Sequence, residues 1–120
     1  EAAGKAGAGV IFISHDLGVI AQVCDSIAVM YSGEIVEAGT AAEVLTTPRH
    51  PYTKALLAAI PGFTPKGAER LELCAIPGMV PDPREHMDGC RFAPRCSVCG
   101  EHCTATHPPL HLAGDGRTLH

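Results

Sequence analysis

Four cysteines fall close together in the last third of this chain: Cys90, Cys96, Cys99 and Cys103, spaced C-x5-C-x2-C-x3-C. Four thiolates in so short a span suffice for a tetrahedral zinc or for an iron–sulfur cluster. The sulfurs must be deprotonated to bind, and a neighbouring cation favours that state. Arg91 and Arg95 stand among them and are candidates for the role. Metal binding would also order the segment, since structural zinc is worth ~10–16 kcal/mol of apparent binding free energy in small peptides. His102, His107 and His111 are spare nitrogen ligands. The plainer reading is four reduced, unligated thiols, and the spacing does not choose between zinc and iron–sulfur. Cys74 is too distant in sequence to assign.

A second residue with chemistry is His15. It follows Val10, Ile11, Phe12 and Ile13, an apolar run that predicts a short strand buried on both faces. Ser14, His15 and Asp16 then break the run, and a helical pattern begins. In an open α/β sheet, ligands sit outside the carboxyl ends of the strands. A histidine at that junction can reach one. The bland alternative is a polar residue that merely ends a strand.

The elements that must position these residues are short. Residues 1–9 are rich in Ala and Gly and read as a frayed helix end. Asp16 is placed to cap a helix whose stripe is Leu17, Ile20, Ala21 and Cys24, which gives Cys24 a packing role. The run from Ile27 to Tyr31, the turn Ser32-Gly33 and the return Glu34-Ile35-Val36-Glu37 predict a hairpin ended by Gly39. Thr40 and Glu43 fit a capping box, with Val44 and Leu45 on the apolar side. Pro51 suits a first helical position, and Tyr52, Leu56, Ala59 and Ile60 share a face. Packing and capping account for His50 and Tyr52. Pro61-Gly62 ends this helix.

Eight of the ten prolines lie from Pro61 onward, so long regular elements are not expected there. Leu73-Cys74-Ala75-Ile76 reads as one short strand, and Pro81-Asp82-Pro83 as extended or turn-like.

Composition narrows the function classes. At 120 residues there is room for one modest domain. A formal net charge of −4 argues against a generic electrostatic binder of nucleic acid. No apolar run approaches the ~20 residues of a membrane-spanning helix, and the n-region and h-region pattern of a signal peptide is not found in these residues. The chain begins with Glu1, which suggests a piece of something longer. Without a secretion signal, a reducing compartment is the default, where clustered thiols read as ligands before disulfides. No complete phosphate-binding loop occurs anywhere in the chain; Gly4-Lys5 lacks its spacing and its hydroxyl.

Residues 14–21, Cys24-Asp25 and residues 27–39 closely resemble the end of an ATP-binding-cassette transporter ATPase. Residues 48–57, with His50-Pro51-Tyr52 at their centre, resemble the C-terminal extension of its oligopeptide/dipeptide importer branch. Ile76-Pro77-Gly78, Val80-Pro81, residues 89–96 and Pro108-Pro109-Leu110 continue the likeness. It implies an α/β fold: the C-terminal part of a P-loop NTPase domain over residues 1–47, then a small proline-rich, cysteine-containing extension over 48–120. By resemblance His15 matches the switch histidine, which contacts the γ-phosphate of ATP and helps hold the attacking water. ATP and Mg²⁺ are then implied for the intact protein, and a [4Fe–4S] cluster or zinc for the cysteines. Implied partners are membrane-spanning permease subunits, a second ATPase subunit and, indirectly, a solute-binding protein. The implied location is cytoplasmic, peripheral on the inner face of the cell membrane.

The departures from that family are as informative. Its phosphate-binding, glutamine and signature loops, and the strand bearing the catalytic carboxylate, would all precede Glu1. The chain alone is therefore expected to be inactive as an ATPase. The family's usual cysteines match Cys90, Cys96 and Cys103, while Cys99 is an addition. Two functions remain: the terminal portion of a peptide (oligopeptide, dipeptide or nickel) importer ATPase, or a stand-alone metal-binding or interaction module built on residues 90–103.

Overall fold

The computed structural model describes residues 8–60, 76–82, 84–112 and 116–119. Helix α1 (Leu17–Val23) starts the described secondary structure. Asp16 caps it, with Oδ1 accepting from the amides of Gly18 and Val19 at 2.8 and 3.2 Å. Ile20 is buried, and Leu17 and Cys24 pack against the core beside it, as the stripe predicts; Ala21 is exposed.

Strands β1 (Ser26–Tyr31) and β2 (Glu34–Thr40) form the expected antiparallel hairpin. Ser32 and Gly33 have φ of 48° and 88°. Two successive positive φ values match the right-handed twist of the flanking strands, and glycine adopts the second without steric cost. Burial alternates along β1, placing Ile27, Val29 and Tyr31 inside. The return strand runs through Gly39, the expected end of the hairpin, to Thr40.

Helix α2 (Ala41–Thr46) opens on the predicted capping box: Thr40 Oγ1 accepts from the Glu43 amide, and Glu43 Oε2 accepts from the Thr40 amide. Helix α3 (Pro51–Ala58) carries Pro51 in its first turn. His50 caps it, with Nδ1 accepting from the Tyr52 amide at 3.1 Å. Its buried centre is Thr53 and Leu57, with Tyr52, Leu56 and Ile60 at the margins and Ala59 exposed. The buried face is rotated from the predicted one, with Thr53 rather than an apolar residue beside Leu57 at its centre. The predicted stop at Pro61-Gly62 and the strand through residues 73–75 lie outside the described residues, as does most of the segment 1–9.

Among its described residues the proline-rich part holds a 3-10 turn (Ala93–Arg95), helix α4 (Glu101–Ala105), and the two-residue strands β3 (His111–Leu112) and β4 (Thr118–Leu119). All four strands make one antiparallel sheet in the order β1-β2-β4-β3. The fold is thus mixed α/β, with the chain's last described strands covering the edge of β2.

One prediction is corrected here. Val10, Ile11, Phe12 and Ile13 form no strand and are not buried; Ile11 and Ile13 are each 93% exposed. A strand needs neighbours for its backbone groups, and no described residue supplies them.

Phe92 joins the proline-rich part to the rest. It is buried, edge-on to Tyr31 at 5.1 Å and tilted against Tyr52 at 5.4 Å between ring centroids. Phe92→Ala is expected to cost about 3–5 kcal/mol, read by urea unfolding. A loss under about 1 kcal/mol, within the range of a surface change, would contradict this central role.

Candidate functional site

Residues 90–103 are closed on themselves by backbone hydrogen bonds. The Ala93 amide donates to the Cys90 carbonyl at 3.0 Å, Cys96 to Ala93 at 3.2 Å, and Cys99 to Cys96 at 3.3 Å. Cys103 donates to Gly100 at 3.0 Å, and Cys90 donates back to Cys103 at 2.8 Å. Every cysteine of the group belongs to this circuit. Gly89 makes the closure feasible, because a Cβ there would collide with the Cys103 carbonyl oxygen and with the backbone of Thr104.

Cys90, Cys96 and Cys103 line a cleft of about 430 Å³ together with His102, His107 and the Phe92 ring. Cys99 is exposed and is not among the lining residues. Desolvation pushes the Cys90 thiol up, helped by Cys103 and Cys96 and opposed by backbone hydrogen bonds from Phe92 and Ala93. Desolvation, and then the neighbouring sulfurs of Cys103 and Cys96, also push the Cys99 thiol up; its Sγ donates to the Gly100 carbonyl at 3.6 Å. His102 Nε2 lies 3.4 Å from Cys103 Sγ.

The two arginines do not act on the thiols as the sequence suggests. Arg91 Nε donates to Glu34 Oε1 at 2.9 Å. Arg95 donates to the carbonyls of Pro77 and Ile76 and to the Tyr31 hydroxyl, and its guanidinium lies 5.9 Å from the Tyr31 ring centre. A carboxylate and carbonyl oxygens are stronger acceptors than a neutral thiol. Both side chains therefore fasten the cysteine loop to the hairpin and to residues 76–77.

The donor set suits a soft metal, being thiolate-rich with imidazole nearby. Arg91 Nη1 is buried with no hydrogen-bond partner, while Nε of the same guanidinium is paired with Glu34. Among the described residues no three Cys, His, Asp or Glu side chains already converge as a ligand group. Of the spare histidines, His102 and His107 line the cleft, while His111 sits in β3 opposite Leu119.

His15 lies apart, exposed, in the bend that leads into α1, and is not among the residues lining the cleft. Ser14 Oγ accepts from the Asp16 amide at 3.0 Å, so both neighbours of His15 are tied to the helix start.

Three charged residues unmarked in the sequence organise the surroundings. Glu34 binds Arg91 through Oε1 and His107 Nε2 through Oε2, at 2.9 and 3.0 Å. Desolvation pushes its pKa up, but the hydrogen bonds and positive charges of Arg91 and His107 prevail and hold it below the usual glutamate range. A depressed carboxyl contributes stability above its unfolded pKa and loses it as pH falls through the folded value. Stability should therefore drop as pH falls through and below the ordinary glutamate range, and Glu34→Gln should flatten that limb in thermal melts. An unchanged slope would contradict the network. Glu37 of β2 and Arg117 form the second pair, both buried, with the Glu37 side chain fully so.

Comparison with known proteins places these features. The family model for the C-terminal region of oligopeptide/dipeptide transporters matches residues 36–103. The chain belongs to that family. A peptide import ATP-binding protein of Brucella ovis is 47% identical over 109 residues, covering 88% of this chain and 32% of the relative. The dipeptide transport ATP-binding proteins of Haemophilus influenzae and Escherichia coli are 40% and 38% identical, each covering 94% of this chain and 34% of the relative. The chain spans about a third of the length of these relatives. The matched region begins in β2 and ends at Cys103, so it contains the His50-capped helix and the whole cysteine loop.

Proposed function

We propose that this chain is the C-terminal portion of the ATP-binding subunit of a peptide importer, working with membrane-spanning permease subunits at the inner face of the membrane. The observation that carries the reading is the extent of the likeness: it runs over 88–94% of the chain, through the hairpin half and the cysteine half alike. A stand-alone cysteine module gives no reason for the first half to match. No described helix is long and apolar enough to cross a membrane, which leaves that task to partner subunits.

Within this reading, residues 1–47 complete a P-loop NTPase domain and residues 48–120 form the extension. The exposed Val10, Ile11, Phe12 and Ile13 then pair with strands that the rest of the subunit supplies. His15 is thereby presented at a strand end, where its imidazole donates to a γ-phosphate oxygen of ATP and steadies the attacking water. Phosphoryl transfer depends on such positioning and charge stabilisation more than on covalent chemistry. Bound Mg²⁺ would neutralise the phosphate charge, and this chain contributes no phosphate-binding loop to hold it. Cys90, Cys96 and Cys103 hold zinc or an iron–sulfur cluster, which clips the extension together.

The test is a chimera in which this chain replaces the matching last third of the Haemophilus influenzae dipeptide transport ATP-binding protein. Cells dependent on it should take up dipeptide. A chimera that accumulates, folds and supports no uptake would overturn the reading.

A further inference from the structure

Resting on the function proposed above, we infer that the outer face of the sheet, centred on Met30, Ile35 and Leu112, is the docking surface for the rest of the ATP-binding subunit. Residues directly opposite in an antiparallel ladder put their side chains on one side of the sheet. The pairings Ala28↔Ala38, Ala38↔Thr118 and Thr118↔Leu112 therefore run one row of side chains across all four strands. Met30 lies two residues beyond Ala28 and pairs with Ile35, which adds a second row on that side. The other side of β1 carries Ile27, Val29 and Tyr31 into the core with Ile20 of α1, Val44 and Leu45 of α2, and Phe92. Met30, Ile35 and Leu112 are by contrast 58%, 41% and 78% exposed. A sheet face that meets water places polar residues outward. Here Ala28, Met30, Ile35, Ala38 and Leu112 are apolar, and Thr118 is the one polar member of the two rows. The strands are thus written for burial on both faces.

The occupant follows from how much of the subunit lies elsewhere. The chain spans 32–34% of the relatives it matches, so most of each relative's length is outside it. Two further apolar features on the chain want cover. Among the described residues no strand pairs with the outer edge of β1, and an open edge is a template for another strand. Val10, Ile11, Phe12 and Ile13 are exposed as well. The remaining part of one subunit is large enough to cover the sheet face, the β1 edge and this segment. A second copy of this chain fits worse, because a stable interface between separate proteins uses about 20–30 residues a side. The sheet face offers three large side chains.

The test is oxidation by dilute hydrogen peroxide, which turns an accessible methionine into its sulfoxide, read peptide by peptide in a mass spectrometer. It is run on this chain and on the chimera with the Haemophilus influenzae protein. Met79, 89% exposed and outside the sheet, is the internal reference. In the chain alone, Met30 should oxidise within a few-fold of Met79. In the chimera, Met30 should slow at least about tenfold against Met79, as susceptibility follows exposure. Ile35→Lys should barely move the melting midpoint of the chain, where the position is exposed. It should lower the midpoint of the chimera, where the lysine would be buried without a partner. Equal rates for Met30 and Met79 in a chimera that hydrolyses ATP would overturn this inference and leave the proposed function standing. A slowed Met30 in a chimera that supports neither hydrolysis nor uptake would support the docking surface and overturn the function. Protection of Met30 in the chain alone, with the chain running at twice its mass, would assign the face to a second copy and overturn the inference.

Discussion

Arg117→Ala is expected to destabilise the chain by about 3–5 kcal/mol, the cost of breaking a buried ion pair from one side. Glu37 is fully buried in β2. Its oxygens accept from the amides of Arg49 and His50 at 2.9 and 3.0 Å, fixing the joint between α2 and α3. Arg117 Nη1 lies 3.9 Å from Glu37 Oε1 and donates to the Thr47 carbonyl at 2.6 Å. One guanidinium thus offsets the buried carboxylate and satisfies the end of α2. Removing it leaves a charge in the interior and frees β4, whose partners Glu37 and Ala38 lie on β2. For a domain of typical marginal stability, about 5–15 kcal/mol, such a loss is a large fraction of the total. Urea unfolding reads it as a lower midpoint with little change in slope. The double variant Glu37→Gln with Arg117→Met should recover much of the loss, because an uncharged pair of similar volume has no ion to desolvate. A single-variant loss below about 1 kcal/mol would show that the pair is incidental.

The second large effect concerns His15. In the chimera with the Haemophilus influenzae protein, His15→Ala should lower the ATP hydrolysis rate about 10²–10³-fold, the usual cost of removing one donor aimed at developing charge. Nucleotide binding should change far less, since this chain itself contains no phosphate-binding loop. The structure leaves His15 free to act in this way: its imidazole is exposed, and the helix start beside it is anchored by Asp16 and Ser14. Asp16→Ala should cost only about 1 kcal/mol of stability through its cap. An unchanged hydrolysis rate in His15→Ala would remove this residue from the mechanism.

What the sequence discloses here is local. The Asp16 cap, the Thr40–Glu43 box, the Ser32-Gly33 turn and Pro51 all depend on partners within four residues, and each is where its residue types place it. The hairpin follows because two residues join strands of matching pattern. Readings that depend on distant partners fare otherwise. Val10, Ile11, Phe12 and Ile13 have strand composition and no neighbour to pair with. The face of α3 is centred on Thr53 because the buried surroundings, not hydropathy, choose it. Glu34 with Arg91 and His107, and Glu37 with Arg117, join residues 57 to 80 positions apart, and nothing local announces them. The cysteine group was legible by spacing, but the role of its arginines was not: their acceptors lie on the hairpin and at residues 76–77. The closed backbone circuit through residues 90–103 gives the proline-rich part an order that its prolines withhold from regular elements.

The most direct measurement is phosphate release from MgATP by three purified proteins side by side: this chain, the chimera, and the Haemophilus influenzae parent. The account predicts no hydrolysis by the chain alone and a rate in the chimera within a few-fold of the parent. A folded chimera that binds nucleotide and releases no phosphate would contradict it, as would hydrolysis by the isolated chain.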